Sequence, residues 1–246
     1  MDILLIGAGA MGGALLKAWG ANHDIRVLES SAARRERLQD ARFAADASEA
    51  ENRVVVLAVK PQSLDSVKIS VRAKAIVSVM AGVTLDTLRD SFKADCFIRA
   101  MPNLAALHQK SATALTGDAI FKDEALKLFN SVGSAVWFES EKELAIATAL
   151  SGSGPGYLAL IAEALADGAI RLGMKSDDAF ALTRALFEGM PALLANEHPA
   201  LLRDRVCSPG GTTIEGIAAL ELRGVRGAIF EALKAAFERS ERLARK

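Results

Sequence analysis

Short apolar runs and helical patterns alternate along the first part of the chain. Ile3–Ile6, Ile25–Leu28, Val54–Val59, Ala75–Met80 and Cys96–Ala100 have strand length and are almost continuously apolar. Such runs suit strands buried on both faces of a parallel sheet better than a sheet with one wet face. Between them, Ala14–Trp19, Ala32–Leu38, Leu64–Val71 and Leu85–Phe92 read as helices, which predicts βαβ units. Two further strands, Ala112–Leu115 and Ala135–Phe138, flank a helix over Glu124–Val132.

After about residue 140 the pattern changes class. Glu141–Leu150, Gly156–Leu172, Asp177–Glu197, Thr213–Leu222 and Val225–Arg245 all read as helices, with no clear strand among them. The expected architecture is α/β: a Rossmann-type, mostly parallel sheet over residues 1–140, followed by an all-α domain over 141–246. The helical half is apolar enough that part of it is expected to pack on a second copy. One stretch, Leu144–Ala162, carries no charge, but Ser151-Gly152-Ser153-Gly154-Pro155-Gly156 interrupts it. It is read as a helix end, a tight turn and a new helix rather than a membrane span.

Composition narrows the function classes. Lys plus Arg and Asp plus Glu number 30 each in 246 residues, so no global field recruits nucleic acid or an anionic membrane. Cys96 and Cys207 are far apart and form no metal-ligand pattern with a histidine, and the N-terminal apolar run has no basic leader. A reduced, cytoplasmic setting is expected.

The chemistry begins at the end of the first strand. Gly7-Ala8-Gly9-Ala10-Met11-Gly12 follows it at once and opens a helix, which is GxGxxG in its required setting. Gly7 permits the tight turn, Gly9 lets backbone approach a pyrophosphate, and Gly12 lets helix and strand pack closely. The second strand ends at Glu29, placed to accept from an adenosine ribose diol, which favours NADH. Ser30 and Ser31 bring no positive charge for a 2′-phosphate; Arg34 and Arg35, at the start of the next helix, either reach one or belong to a solvated helix-cap region. Ala58-Val59-Lys60-Pro61, Ala81-Gly82 and Met101-Pro102-Asn103 end three further strands at the carboxyl edge, where such sheets bind ligands.

These segments, with Ser151-Gly152-Ser153-Gly154-Pro155 and Val206-Cys207-Ser208-Pro209-Gly210-Gly211-Thr212-Thr213, occur in an order that resembles the pyrroline-5-carboxylate reductase family. The resemblance covers essentially the whole chain, and the last two segments are its specific part. It implies reduction of 1-pyrroline-5-carboxylate to L-proline with hydride from NAD(P)H, the last step of proline biosynthesis. It also implies a homodimer or larger homo-oligomer built by the helical domain, with the active site between one Rossmann domain and the dimer's helices. Many members carry Asn-Arg where Glu29-Ser30 stands, a departure that bears on cofactor preference. Gly156 replaces a common alanine, and Glu197 adjoins Asn196, where some members carry an acidic residue.

A cyclic imine is protonated in water and already electrophilic, so the enzyme's main task is to hold the reacting carbons together. That suits a chain whose three histidines, His23, His108 and His198, fall in no catalytic motif; His198 reads as a surface or capping residue. The substrate's fixed charge is its carboxylate. Ser208, Gly210, Gly211, Thr212 and Thr213 suit it, with backbone and hydroxyl donors before a helix start. By family analogy Thr213 also supports the proton on the ring nitrogen, directly or through water, and is the catalytic candidate. A plain helix N-cap is the competing reading of this loop. Ser153 is a second substrate candidate, Cys207 reads as packing, and Arg205 reaches either phosphate or solvent.

Two rival readings keep the fold. A β-hydroxyacid dehydrogenase relative would want a lysine base in the helical half, where Lys142, Lys175, Lys234 and Lys246 match no motif. A nucleotide-sensing scaffold would not need the intact Gly211–Thr213 loop.

Overall fold

The computed structural model describes residues 1–38 and 40–244. Eight strands form one sheet: β1 (Asp2–Ile6), β2 (Asp24–Leu28), β3 (Arg42–Phe43), β4 (Val54–Leu57), β5 (Ala73–Ser78), β6 (Ala94–Met101), β7 (Ser111–Gly117) and β8 (Gly133–Trp137). Their spatial order is β3-β2-β1-β4-β5-β6-β7-β8, with every pairing parallel except β6 with β7. The order reverses between β1 and β4, and ligands bind such sheets at that switch point, beyond the carboxyl ends of the strands.

The near-continuous apolar runs are explained by burial on both sides. Ile3, Leu5, Val27, Val54, Val56 and Val77 point into one layer with Leu15 and Trp19 of α1 (Ala10–Trp19) and Leu128 and Phe129 of α4 (Lys122–Asn130). The buried Trp19 indole donates to the Leu128 carbonyl at 3.1 Å, and its ring meets Phe129 edge-on. Leu4, Ile6, Val55, Leu57 and Ile76 point into the opposite layer, against Leu85 and Leu88 of α3 (Leu85–Ser91).

The fold departs from the expectation twice. The helix expected over Ala32–Leu38 is only α2 (Ala32–Glu36), and the strand β3 follows it. No helix spans Leu64–Val71: a 3-10 turn, Pro61–Ser66, gives way to an irregular segment. Leu64, Val67 and Val71 mimic a helical stripe, but Val67, Ile69 and Val71 alternate with exposed Lys68, Ser70 and Arg72, and it is this period of two that half-buries against the sheet.

The chain forms two compact units. The first is Met1–Pro155 together with the end of the last helix from Lys234; the second is Gly156–Leu233. The helical part comprises α5 (Glu141–Ala147), a π-helical turn (Thr148–Gly152), α6 (Gly154–Arg171), α7 (Ser176–Leu194), α8 (Pro199–Val206), α9 (Thr212–Leu222) and α10 (Val225–Ala244). Arg245, expected to close the last helix, and Lys246 lie outside the described residues. The helix expected over Asp177–Glu197 stops at Leu194, and α8 restarts with His198 as its cap, its Nδ1 accepting from Ala200 N–H at 3.2 Å. Pro199, unable to continue α7's hydrogen bonding, suits the first turn of the new helix.

Within the second unit the buried side chains are Ala166, Ala179, Thr183 and Leu202. Leu160, Leu182, Leu186, Leu220, Leu222 and Phe230 are each more than half exposed. A helical unit with so much uncovered apolar surface is what a subunit interface leaves behind.

Candidate active site

Gly9 is the N-cap of α1, so the helix starts inside the glycine motif rather than at Ala14. Its first turn has no side-chain cap and no acidic residue, which leaves its N–H groups and positive dipole end for an anion. The three glycines have separate reasons. Gly7 has φ +89°, and a Cβ there would sit 2.9 Å from the Ala58 carbonyl oxygen. A Cβ on Gly12 would collide with the Gly7 carbonyl oxygen. A Cβ on Gly9 would meet nothing within 4 Å. Gly9 therefore opens onto space that a close-lying phosphate can use, and the residues present fit a dinucleotide.

That space is a cleft of about 800 Å³ at the β1–β4 switch point. Gly7, Gly9, Ala10, Met11, Glu29, Ala58, Val59 and Lys60 all line it, as do Ser30 and Arg34. Ala8 and Gly12 are buried behind it, and the Ala8 N–H is committed to the Glu29 carboxylate. Pro61 starts the 3-10 turn after β4. Ala81 and Gly82 follow β5 on the same carboxyl edge, outside the lining of this cleft, and Gly82 has φ +78°. The cleft also gathers residues that sequence reasoning did not single out: Asp46 and Ala47 after β3, and Ser63, Ser66 and Lys68 after β4.

Glu29 is buried, its side chain only 2% exposed. Burial pushes its carboxyl up, but the Ala8 and Ser31 N–H groups, each at 2.8 Å, and the Arg34 guanidinium outweigh that and hold it below the ordinary glutamate range. It is an ionised acceptor fixed at the end of β2.

Asn103 lies two residues beyond β6 and caps a 3-10 turn, Leu104–His108. Its Nδ2 donates to the Ser151 carbonyl at 3.0 Å, its Oδ1 accepts from Ala105 N–H, and its own N–H donates to Ser111 Oγ. Ser151 is four residues before Pro155, whose missing N–H would otherwise bond that carbonyl. The asparagine supplies the lost donor. Ser151–Gly156 is thus no helix end with a tight turn. The helix widens into a π turn closed by Ser153 N–H on the Thr148 carbonyl at 3.0 Å, and it runs on into α6 with Pro155 in its first turn. Such widenings recur at functional sites.

In the second unit the structure brings Ser208, Gly210, Gly211, Thr212 and Thr213 together. Gly211 N–H donates to the Ser208 carbonyl at 3.0 Å with Pro209 and Gly210 between them, and Gly210 has φ +69°. That is a type II turn, with proline and glycine at the positions that need them. Gly211 caps α9, and Thr212 and Thr213 form its exposed first turn. Arg205 is paired with Glu197 at 3.1 Å.

Comparison with known proteins decides the family. A model described as pyrroline-5-carboxylate reductase dimerisation matches residues 141–243, and one described as NADP oxidoreductase coenzyme F420-dependent matches residues 2–82. A pyrroline-5-carboxylate reductase of Synechocystis sp. is 39% identical over 98% of each chain. The chain belongs to the pyrroline-5-carboxylate reductase family. A Thermus thermophilus pyrroline-5-carboxylate reductase is 35% identical over 99% of this chain and 98% of its own. Among solved structures, a 1-pyrroline-5-carboxylate reductase from Streptococcus pyogenes superposes with a TM-score of 0.86 at 30% identity, covering 98% of each chain. A Plasmodium falciparum pyrroline carboxylate reductase with NADP bound shares the fold, with a TM-score of 0.85 at 23% identity, over 99% of this chain and 98% of its own. The family's dimerisation domain coincides with the segment whose apolar surfaces lie uncovered.

Proposed function

We propose that this chain reduces 1-pyrroline-5-carboxylate to L-proline with hydride from NAD(P)H, as a cytoplasmic homodimer or larger homo-oligomer. The observation that carries the reading is the glycine cradle: Gly9 open to the cleft, Gly7 and Gly12 closed against the sheet. End-to-end likeness to reductases of one substrate supports it.

The nicotinamide cofactor supplies a hydride when bound. Gly9 and the first turn of α1 take its pyrophosphate. Ala58, Val59, Lys60, Pro61, Ala81 and Gly82 form the carboxyl edge along which it lies. Glu29, ionised at the end of β2, favours the unphosphorylated ribose of NADH. Asn103 acts as a positioning residue: with every polar group engaged inside the chain, it holds the π turn that carries Ser153.

The substrate's carboxylate is assigned to the turn before α9. There the Gly210 N–H and the hydroxyls of Ser208, Thr212 and Thr213 donate to it, and Gly211, its own N–H spent on the Ser208 carbonyl, closes the turn that presents them. Thr213 keeps the proton on the ring nitrogen, directly or through a water. The iminium carbon needs no stronger acid, so catalysis is placement: reacting atoms held about 3–3.5 Å apart reach effective molarities of order 10⁵–10⁸ M.

The domain boundary proposed with this function is the change of class at residues 140–141. The test is cofactor consumption on adding 1-pyrroline-5-carboxylate, with NADH and NADPH side by side. Turnover with either supports the reading. Binding of NADH without turnover of either cofactor would eliminate it in favour of a nucleotide-sensing protein.

A further inference from the structure

The carboxylate that favours NADH is already saturated by the chain itself. An ionised carboxylate offers about four acceptor positions. On Oε2 of Glu29, Ala8 N–H and Arg34 Nη1 stand at 2.8 and 3.2 Å. On Oε1, Ser31 N–H and the same Arg34 Nη1 stand at 2.8 and 3.1 Å. The two backbone donors are built into the fold. Arg34, its side chain 52% exposed, is the partner that a rotation can remove.

The two cofactors meet this arrangement differently. A ribose diol brings two O–H donors and needs the places that Arg34 fills. A 2′-phosphate brings acceptors only: the Glu29 carboxylate repels it, but it can use the guanidinium N–H groups that Glu29 leaves over. A guanidinium has five such donors, and a single nitrogen of Arg34 is engaged with Glu29. Both Glu29 and Arg34 line the cleft.

We propose that Arg34 sets the cofactor selectivity of this chain by standing in for the ribose diol on Glu29, so that it weakens NADH and offers its remaining edge to the 2′-phosphate of NADPH. The proposal rests on the cofactor reading above. It makes the NADH preference conferred by Glu29 smaller than that residue alone would give, and it assigns opposite effects on the two cofactors to one side chain.

The test is calorimetric binding of ADP-ribose and 2′-phospho-ADP-ribose, the adenine halves of the two cofactors, to the full chain, repeated with NADH and NADPH. Arg34→Ala and Arg34→Gln should both bind ADP-ribose and NADH roughly two- to tenfold more tightly than wild type. The same variants should bind the 2′-phosphorylated ligands about tenfold or more weakly. Arg35→Ala is the control. Its guanidinium lies over the Phe43 ring, 4.6 Å from the centroid, so its removal should leave the ratio of the two affinities unchanged. Unchanged or weaker binding of ADP-ribose by both Arg34 variants overturns the assignment, as does undiminished binding of the 2′-phosphorylated ligands or an equal shift in Arg35→Ala. A wild-type chain that binds none of the four ligands overturns the cofactor reading itself.

Discussion

The glycine cradle makes a paired prediction in which two like substitutions fail for opposite reasons. At Gly12 a methyl group would run into the Gly7 carbonyl oxygen and lie 3.2 Å from the Ala58 Cβ. Neither neighbour is a flexible tip: Gly7 N–H is bonded to Leu28 O and Ala58 N–H to Ile6 O, both at 2.9 Å. Relief requires α1 to move off the sheet. Overpacking of this kind costs about 1–3 kcal/mol, more when backbone shifts. The better helix propensity of alanine returns at most about 1 kcal/mol. Because the clash is with backbone, the cost lies at the upper end of that range and the net loss is about 1–2 kcal/mol, so Gly12→Ala should lower the melting temperature by about 2–8 °C. At Gly9 the methyl group meets nothing and the backbone, at φ −68°, tolerates any residue, so stability should stay within about 1 kcal/mol of wild type. The loss falls on the ligand. Forfeiting one charge-assisted hydrogen bond to the pyrophosphate costs about 1.5–3 kcal/mol, or about 10- to 150-fold in Kd. Thermal unfolding and calorimetric titration with NADH and NADPH separate the two effects. Wild-type affinity in Gly9→Ala would refute the placement of the pyrophosphate, and wild-type stability in Gly12→Ala would refute the packing argument.

Other predictions concern single groups. Thr213→Ala should lower kcat/KM for the imine while the Kd for NADH stays near wild type; an unchanged kcat/KM would remove Thr213 from the site. Glu29 has its carboxyl lowered on folding, so its contribution to stability is full above the ordinary value near 4.5 and fades as pH falls through the lowered one. Urea titrations should show the deficit of Glu29→Gln largest near neutral pH and shrinking below about pH 4.5, whereas a pH-independent deficit would contradict this. Burial, with the nearby Asp118, Asp95 and Glu124 carboxylates, pushes the Cys96 thiol up to about 11, while Cys207 is half-buried. An alkylating agent at pH 8 should thus modify Cys207 in the native protein and Cys96 only on unfolding, as peptide mass mapping would show.

Much of this was legible because it is local. The main strands are continuous apolar runs, and GxGxxG holds its three constraints within six residues, so spacing alone places them. The strand β3 escaped because two residues, Arg42 and Phe43, carry no period; their pairing with Arg26 and Val27 defines it. Lys68, Ser63 and Ser66 escaped for a related reason: a 3-10 turn and an irregular return bring them to the cleft, and neither repeats at a readable interval. Glu29 was legible as an acidic strand end, but its saturation by Ala8, Ser31 and Arg34 is a matter of three-dimensional reach. The π turn is hidden because Ser-Gly-Ser-Gly-Pro reads as a break, and the distant amide that repairs it carries no local signal.

That repair couples two positions remote along the chain. With Pro155 in place, losing Asn103 strands the Ser151 carbonyl; with an ordinary residue at 155, the helix closes its own ladder and the amide becomes redundant. The two sites should be inherited as a unit: a descendant that drops the proline is released to vary at 103, while one that drops the asparagine first passes through a weakened intermediate.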